Sequence, residues 1–268
     1  MRLILSLIAM VWGLSVAAVP VSLSLDLRPS WAPQRASSHT ENEVALEWRA
    51  LERFGLAWVQ EFRTNLAGGR PLGAGAGFRL FDGYVRAEVR DVWRSPSGEV
   101  GLTYEPRLYL PVSADERAAG LVAATRQYLK LSWAVGPAVA LEVWEVPILH
   151  GYGQAGFEAA EGPTANRWFE NRLELAARLT LFSGRLAIRL PLILQVARHR
   201  PYRPGARWND AWSTSLWIYP EAILRVGAAT GIGLGYYSEN LVREGFQGLA
   251  MGDGLRAGVP QVVFQQAL

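Results

Sequence analysis

Residues 171–195, NRLELAARLTLFSGRLAIRLPLILQ, alternate in twos. Leu173, Leu175, Ala177, Leu179 and Leu181 are apolar, and between them stand Arg172, Glu174, Ala176, Arg178 and Thr180. After Ser183-Gly184 the alternation resumes, with Leu186, Ile188, Leu190, Leu192 and Leu194 on one side and Arg185, Ala187 and Arg189 on the other. Leu, Ala, Arg and Glu are good helix formers, but a helical stripe would set Arg172 beside Leu173 and Ala176. Period two means strand, and two alternating runs about a Gly-bearing turn mean a hairpin. Where pattern and propensity disagree, the pattern decides.

The same alternation recurs along the chain. It predicts strands near 20–31, 43–52, 55–66, 79–94, 99–112, 120–134, 138–149, 167–181, 185–198, 211–219, 222–237 and 258–268. The segment 222–237 could itself be a hairpin, so the total is about 12 strands, in the range 10–14. The connections alternate too. Short ones fall at Arg53-Phe54, 95–98, 135–137, 182–184 and Pro220-Glu221, and longer ones at 32–42, 67–78, 113–119, 150–166, 199–210 and 238–257. Short turns at one end and long loops at the other are the layout of an antiparallel up-and-down transmembrane β-barrel. A soluble sandwich or lipocalin-like barrel would also alternate, so the polar face has to discriminate.

That face carries a recurring acid-x-Arg unit: Asp26/Arg28, Glu47/Arg49, Glu61/Arg63, Glu88/Arg90, Glu105/Arg107 and, reversed, Arg172/Glu174. Residues i and i+2 share a face, and neighbouring strands bring such units side by side. Long cations paired with carboxylates suit a confined wet lumen. With Arg86, Arg126, Lys130, Glu142, Arg178, Arg189 and Arg225, these residues form the expected lumen charge network. It holds seven acids and twelve bases, a surplus of five positive charges. Arg126, Arg178 and Arg189 have no acid two residues away and are the expected unpaired cations. Trp31, Trp168 and Trp212 fall near loop ends, and Trp93, Trp133 and Tyr219 near turn ends, as two interface girdles require. Thr125, Gln127 and Asp91 fall on the lipid side, and Pro106, Pro147, Pro191 and Pro260 interrupt strands, where bulges or local unpairing are required.

The chain has 268 residues, half of them hydrophobic and 19% charged, with a net charge of +3 and no basic cluster, which argues against a nucleic-acid partner. It has no Cys, and its three His (39, 150, 199) are scattered, so neither thiolate nor His-cluster metal chemistry is expected, and no cofactor. Arg2, the apolar run 3–14 and the small residues 15–18 read as a secretory signal peptide over 1–18, leaving 19–268 as the barrel.

Over the mature length these features resemble the bacterial outer-membrane β-barrel class. The resemblance implies export to a Gram-negative outer membrane, with membrane lipid and the barrel-insertion machinery as partners. Members of that class typically end in an aromatic insertion signal. Here Val262, Phe264 and Leu268 keep the alternation, with Leu in the aromatic's place. The stretch 149–175 is faintly similar to the outer-membrane phospholipase family, which uses a His, a Ser two residues later and a downstream Asn. Here His150 is followed by Tyr152, with Asn166 and Asn171 downstream, so the nucleophile is missing and no enzyme is expected. GAGAG at 73–77 lacks the context of a phosphate loop. The expected role is a narrow passive channel for ions or small polar solutes with weak anion preference. The second reading is a non-conducting scaffold that anchors a periplasmic or surface assembly.

Overall fold

The computed structural model describes residues 21–32, 37–67, 78–159, 162–238 and 258–267. The expected signal segment and the GAGAG loop lie outside the described residues. In chain order the elements are β1 (Val21–Ala32), β2 (Ser37–Leu51), β3 (Phe54–Ala67), β4 (Phe78–Arg94), β5 (Val100–Leu110), α1 (Ala114–Ala118), β6 (Leu121–Ala134) and β7 (Val139–Tyr152). They continue as β8 (Gly156–Ala159), β9 (Gly162–Ala165), β10 (Arg167–Leu181), β11 (Leu186–His199), β12 (Trp212–Ile218), β13 (Glu221–Arg225), β14 (Thr230–Tyr237) and β15 (Val259–Ala267).

Each strand pairs antiparallel with its neighbour, and β1 pairs with β15, so the sheet closes. β12 and β13 both pair with β11 in one register, Leu192↔Ile218 and Arg189↔Glu221, and so form one interrupted strand. The barrel therefore has twelve staves. Closure leaves no free edge, which a strand in a membrane requires. β8 and β9 form a separate hairpin inside the long β7–β10 connection.

Two boundaries differ from the sequence reading. β2 starts at Ser37, so part of the expected 32–42 loop is strand. Pro220-Glu221 is not a turn. The turn lies at 226–229, and 222–237 is the hairpin that the alternation allowed, made of β13 and β14.

Proline explains that interruption. Pro191 keeps its pairing with Ala176 on β10 but has no N–H for its other neighbour, and the rungs at Tyr219 and Pro220 are missing. The pattern repeats. Pro106 pairs with Gln127, while the β4–β5 ladder passes from Arg86↔Arg107 to Val89↔Tyr104 with two rungs absent. Pro147 pairs with Asn171, while the β6–β7 ladder lacks the rungs at Gln127 and Tyr128. Local unpairing without a register shift is how this closed sheet accepts these prolines. Register shifts lie elsewhere: near strand ends at Ser38/His39, Arg49/Leu51, Leu121/Ala123 and Arg167/Phe169, and within β3 and β4 as two bulges, at Gln60/Phe62 and Val89/Trp93. Asp91 sits in the second bulge at φ +50, held by Arg94 at 2.9 Å. The Gln60 side chain donates to the carbonyls of Phe81 (2.7 Å) and Glu61 (2.9 Å) at the first.

The outer face is apolar, with Leu46, Val85, Leu108, Leu141, Leu175, Leu190 and Leu234 all exposed. A continuous exposed apolar wall is the outside of a barrel made for lipid. The buried side chains lie inside. Ala45, Ala57 and Val59 pack against Tyr84, Tyr109 and Ala124.

Candidate functional site: the barrel lumen

Contacts between strands that are not neighbours identify the inner face. Arg28 on β1 reaches Glu221 on β13 at 3.2 Å, although β15 and β14 lie between them in the sheet. Arg189 on β11 reaches Glu142 on β7 at 3.0 Å, across β10. Only the concave side brings such residues together.

Several lumen residues pair as the acid-x-Arg unit suggests. Arg28 meets Asp26 at 3.0 Å, Arg90 meets Glu88 at 2.5 Å and Arg107 meets Glu105 at 2.5 Å. Arg49 stands 3.9 Å from Glu47, whose closer partner is Arg86 on β4. Lys130 joins Glu105 at 2.6 Å. Glu61 and Arg63 line a cavity, with the Arg63 guanidinium 4.2 Å from the centre of the Phe81 ring. Arg172 bonds Glu170 at 2.6 Å rather than Glu174.

The three cations expected to be unpaired divide. Arg189 binds both Glu142 and Glu174, and Arg178 lies 3.4 Å from Glu142. Their partners come from other positions on the cylinder, which same-strand spacing cannot reveal. Arg126 alone has no carboxylate partner among the described residues. Its guanidinium lies over the Tyr109 ring at 3.9 Å. Arg225 lines a cavity near the turn end.

Trp93, Trp133, Trp168 and Trp212 are exposed near strand ends. The Trp31 side chain lies outside the described residues. Tyr219 departs from the girdle. At the break beside Pro191 it stands inside, accepting from Arg28 and donating to Gln261 at 2.8 Å. Trp48, exposed toward the turn end of β2, is a further girdle aromatic.

Glu43, Glu170 and Glu221, and the inward aromatics Tyr84, Tyr109, Tyr128 and Trp144, also belong to the lumen, beyond the acid-x-Arg units. Strict parity places Glu43 with Glu47 and Tyr84 with Arg86, so alternation carried the signal.

These aromatics divide the lumen. On the side of β4–β7, β10 and β11, Arg107 stacks on Tyr84 (5.0 Å) and Tyr128 (4.2 Å), and Trp144 receives Lys130 (4.7 Å) and Arg189 (4.3 Å). Tyr84, Ile148 and Glu170 are at most 1% exposed there. Cation–ring stacking and buried carboxylates fill this half with solid contact. Long loops cover it. Asn166 donates to the carbonyls of Ala119 (2.8 Å) and Gln154 (3.1 Å), while its own carbonyl accepts from the Arg200 amide at 2.8 Å. One residue, through its side chain and its backbone, thus ties the α1 loop, the β7–β8 connection and the 200–211 loop together.

The other side is open. A cavity of about 410 Å³ is lined by Asp26, Arg28, Glu43, Glu61, Tyr219 and Glu221, among others. A second, about 350 Å³, reaches the turn end along Ser24, Arg225, Gly231 and Gln265. Asp26 and Glu43 line both. Their combined lining has four carboxylates (Asp26, Glu43, Glu61, Glu221) against four guanidiniums (Arg28, Arg63, Arg189, Arg225). The inward positions of β14 are Gly231, Gly233 and Gly235, so its wall is bare. A Cβ on Gly233 would meet the Ala222 carbonyl oxygen at 2.3 Å.

The residues behind the faint phospholipase likeness do not assemble. His150 points inward, 3.7 Å from Glu170, and Asn166 is spent on the loops. Asn171 faces outward and bonds Glu145.

No protein-family model and no curated protein matches this sequence. Solved structures do. An outer-membrane channel from Pseudomonas putida F1 superposes with a TM-score of 0.58 at 9% identity, over 95% of this chain and 97% of that one. The NanC porin gives 0.55 at 12% identity, over 90% and 98%. The KdgM porin, solved in complex with disordered oligogalacturonate, gives 0.52 at 10% identity, over 91% and 98%. Twelve antiparallel staves, an apolar exterior and a charged interior give this chain the fold of the outer-membrane β-barrel channels.

Proposed function

We propose that this protein is a narrow passive channel for ions and small polar solutes in the outer membrane of a Gram-negative bacterium. The observation that carries the reading is the pair of polar cavities that share Asp26 and Glu43 along one wall. Their charged lining replaces the hydration of a small solute, and the shape of the passage limits its size. Residues 1–18 direct export, and the barrel is delivered by the insertion machinery. The chemistry is passage, with no bond made or broken.

Weak anion preference follows from where the charge stands. The open lining is balanced, four against four. The surplus is in the packed half, where Arg86, Arg90, Arg107, Arg126, Lys130, Arg172 and Arg178 stand against Glu88, Glu105, Glu142, Glu170 and Glu174, seven bases to five acids. Low-dielectric walls focus that field into the passage at longer range. The KdgM porin was solved with an anionic oligosaccharide, which is the class of solute such a field favours.

Bilayer recordings of the purified protein under a salt gradient test this. A reversal potential on the anion side is expected, and one on the cation side rejects the charge assignment. The filled half and its tied loops favour the second reading, a scaffold holding a periplasmic or surface assembly. Complete absence of conductance from inserted protein would select it.

A further inference from the structure

Four polar residues form a patch on the outer wall. Tyr104 on β5, Gln127 on β6, Glu145 on β7 and Asn171 on β10 occupy outward positions on four consecutive staves. Their register neighbours are Leu129, Leu173, Pro106 and Pro147. Gln127 and Glu145 are each the seventh of fourteen residues in their strands, at mid-wall. The Tyr104 hydroxyl donates to the Gln127 side-chain oxygen, and the Asn171 amide donates to Glu145 Oε1 at 2.6 Å. No cation pairs with Glu145 among the described residues.

Lipid is a poor neighbour for this patch. A carboxylate at mid-wall has no water to solvate it, and an amide without a partner is costly in hydrocarbon. Missing rungs beside Pro106 and Pro147 leave further backbone groups unpaired at the same place.

The unused groups are complementary to one another. Gln127 has accepted from Tyr104, and its NH₂ donors have no partner among the described residues. Glu145 has one oxygen left, and Asn171 Oδ1 is buried without a hydrogen bond. Two copies in one membrane share an orientation, so a two-fold axis between them runs along the membrane normal. Residues that meet across it must lie at equal depth. Gln127 and Glu145, both at mid-strand on adjacent staves, meet that condition. We infer that β5, β6, β7 and β10 form an isologous interface between two copies of this chain, with Gln127 of one donating to Glu145 of the other. This rests on the barrel being in a membrane, as proposed above.

The chain has no cysteine, so single cysteines report cleanly. Leu129→Cys lies between the two polar pairs and should form a disulfide-linked dimer in native membranes. Leu190→Cys, equally outward on β11, should not. Purified protein in lipid nanodiscs should have twice the mass of one chain, and Gln127→Leu/Glu145→Leu should halve it while the barrel keeps its heat-dependent gel shift and its conductance per barrel. A monomeric wild type, equal cross-linking at both cysteines, or cross-links from Leu129→Cys only to another protein would overturn the inference. A monomer that still inserts and conducts would leave the channel reading standing. Protein that never enters the bilayer would overturn both.

Discussion

The two halves of the lumen use the same charged residue types and reach opposite results. On β4–β7, large side chains alternate with the charges: Tyr84 before Arg86, Tyr109 after Arg107, Tyr128 between Arg126 and Lys130, and Trp144 after Glu142. Guanidiniums stack on these rings and the carboxylates close the gaps. On β1, β14 and β15 the same inward positions hold Ser22, Ser24, Gly231, Gly233, Gly235 and Gln265. Here Asp26, Arg28 and Glu221 pair around space instead of around rings. Whether an arginine–carboxylate network blocks or lines a barrel is decided by the size of the uncharged residues between its members.

Charge removal should separate the halves most strongly. Glu105 is 3% exposed and holds both Arg107 and Lys130. Glu105→Leu leaves two cations without their carboxylate, and unfolding in urea, followed by gel shift, should show a loss of about 3–5 kcal/mol. Asp26→Leu leaves Arg28 its contact with Glu221 in a wet cavity, and should cost about 1 kcal/mol or less. Equal losses would erase the distinction.

Added bulk should separate them next. Ala124, 4% exposed, packs with Tyr84 and Tyr109, so Ala124→Trp overpacks the filled half and should cost about 1–3 kcal/mol with little change in conductance. Ser24→Trp enters the 350 Å³ cavity. It should fold normally and carry markedly less single-channel current. If Ala124→Trp reduces the current more, the passage lies on the other side.

The smallest expected effect sharpens the electrostatics. Arg126 has no carboxylate partner among the described residues and stands away from the cavities. Arg126→Leu should move the reversal potential a few millivolts or so toward the cation side without narrowing the pore. Arg225→Gln, in the open lining, should shift both selectivity and current. A silent Arg126→Leu would place the selecting field in the open lining alone.

Much of this architecture is legible in the one-dimensional pattern. The hairpin at 171–195 forms as β10 and β11 around a turn at Phe182, Ser183 and Gly184, all at positive φ, because inside and outside differ chemically at every step. Pairing information is not local. Pro220 reads as a turn until Pro191 on the neighbouring strand is seen to withdraw the hydrogen bond opposite it. Arg189 reads as unpaired because Glu142 is 47 residues away in sequence. Tyr219 reads as a girdle residue because nothing nearby tells an inward tyrosine from an interfacial one. Gln127 reads as misplaced until its neighbours Tyr104, Glu145 and Asn171 are known.

Lys130 is the chain's single lysine. It sits inside the barrel, bonded to Glu105 and facing the Tyr128 and Trp144 rings. Apart from the chain's amino terminus, the protein therefore offers amine-reactive reagents no target on its exterior. A graded series of acylating esters would act as a sieve. The largest that modifies Lys130 in folded protein measures how much room the filled half leaves around it, and the dependence of its rate on reagent charge reads the potential there without an electrode.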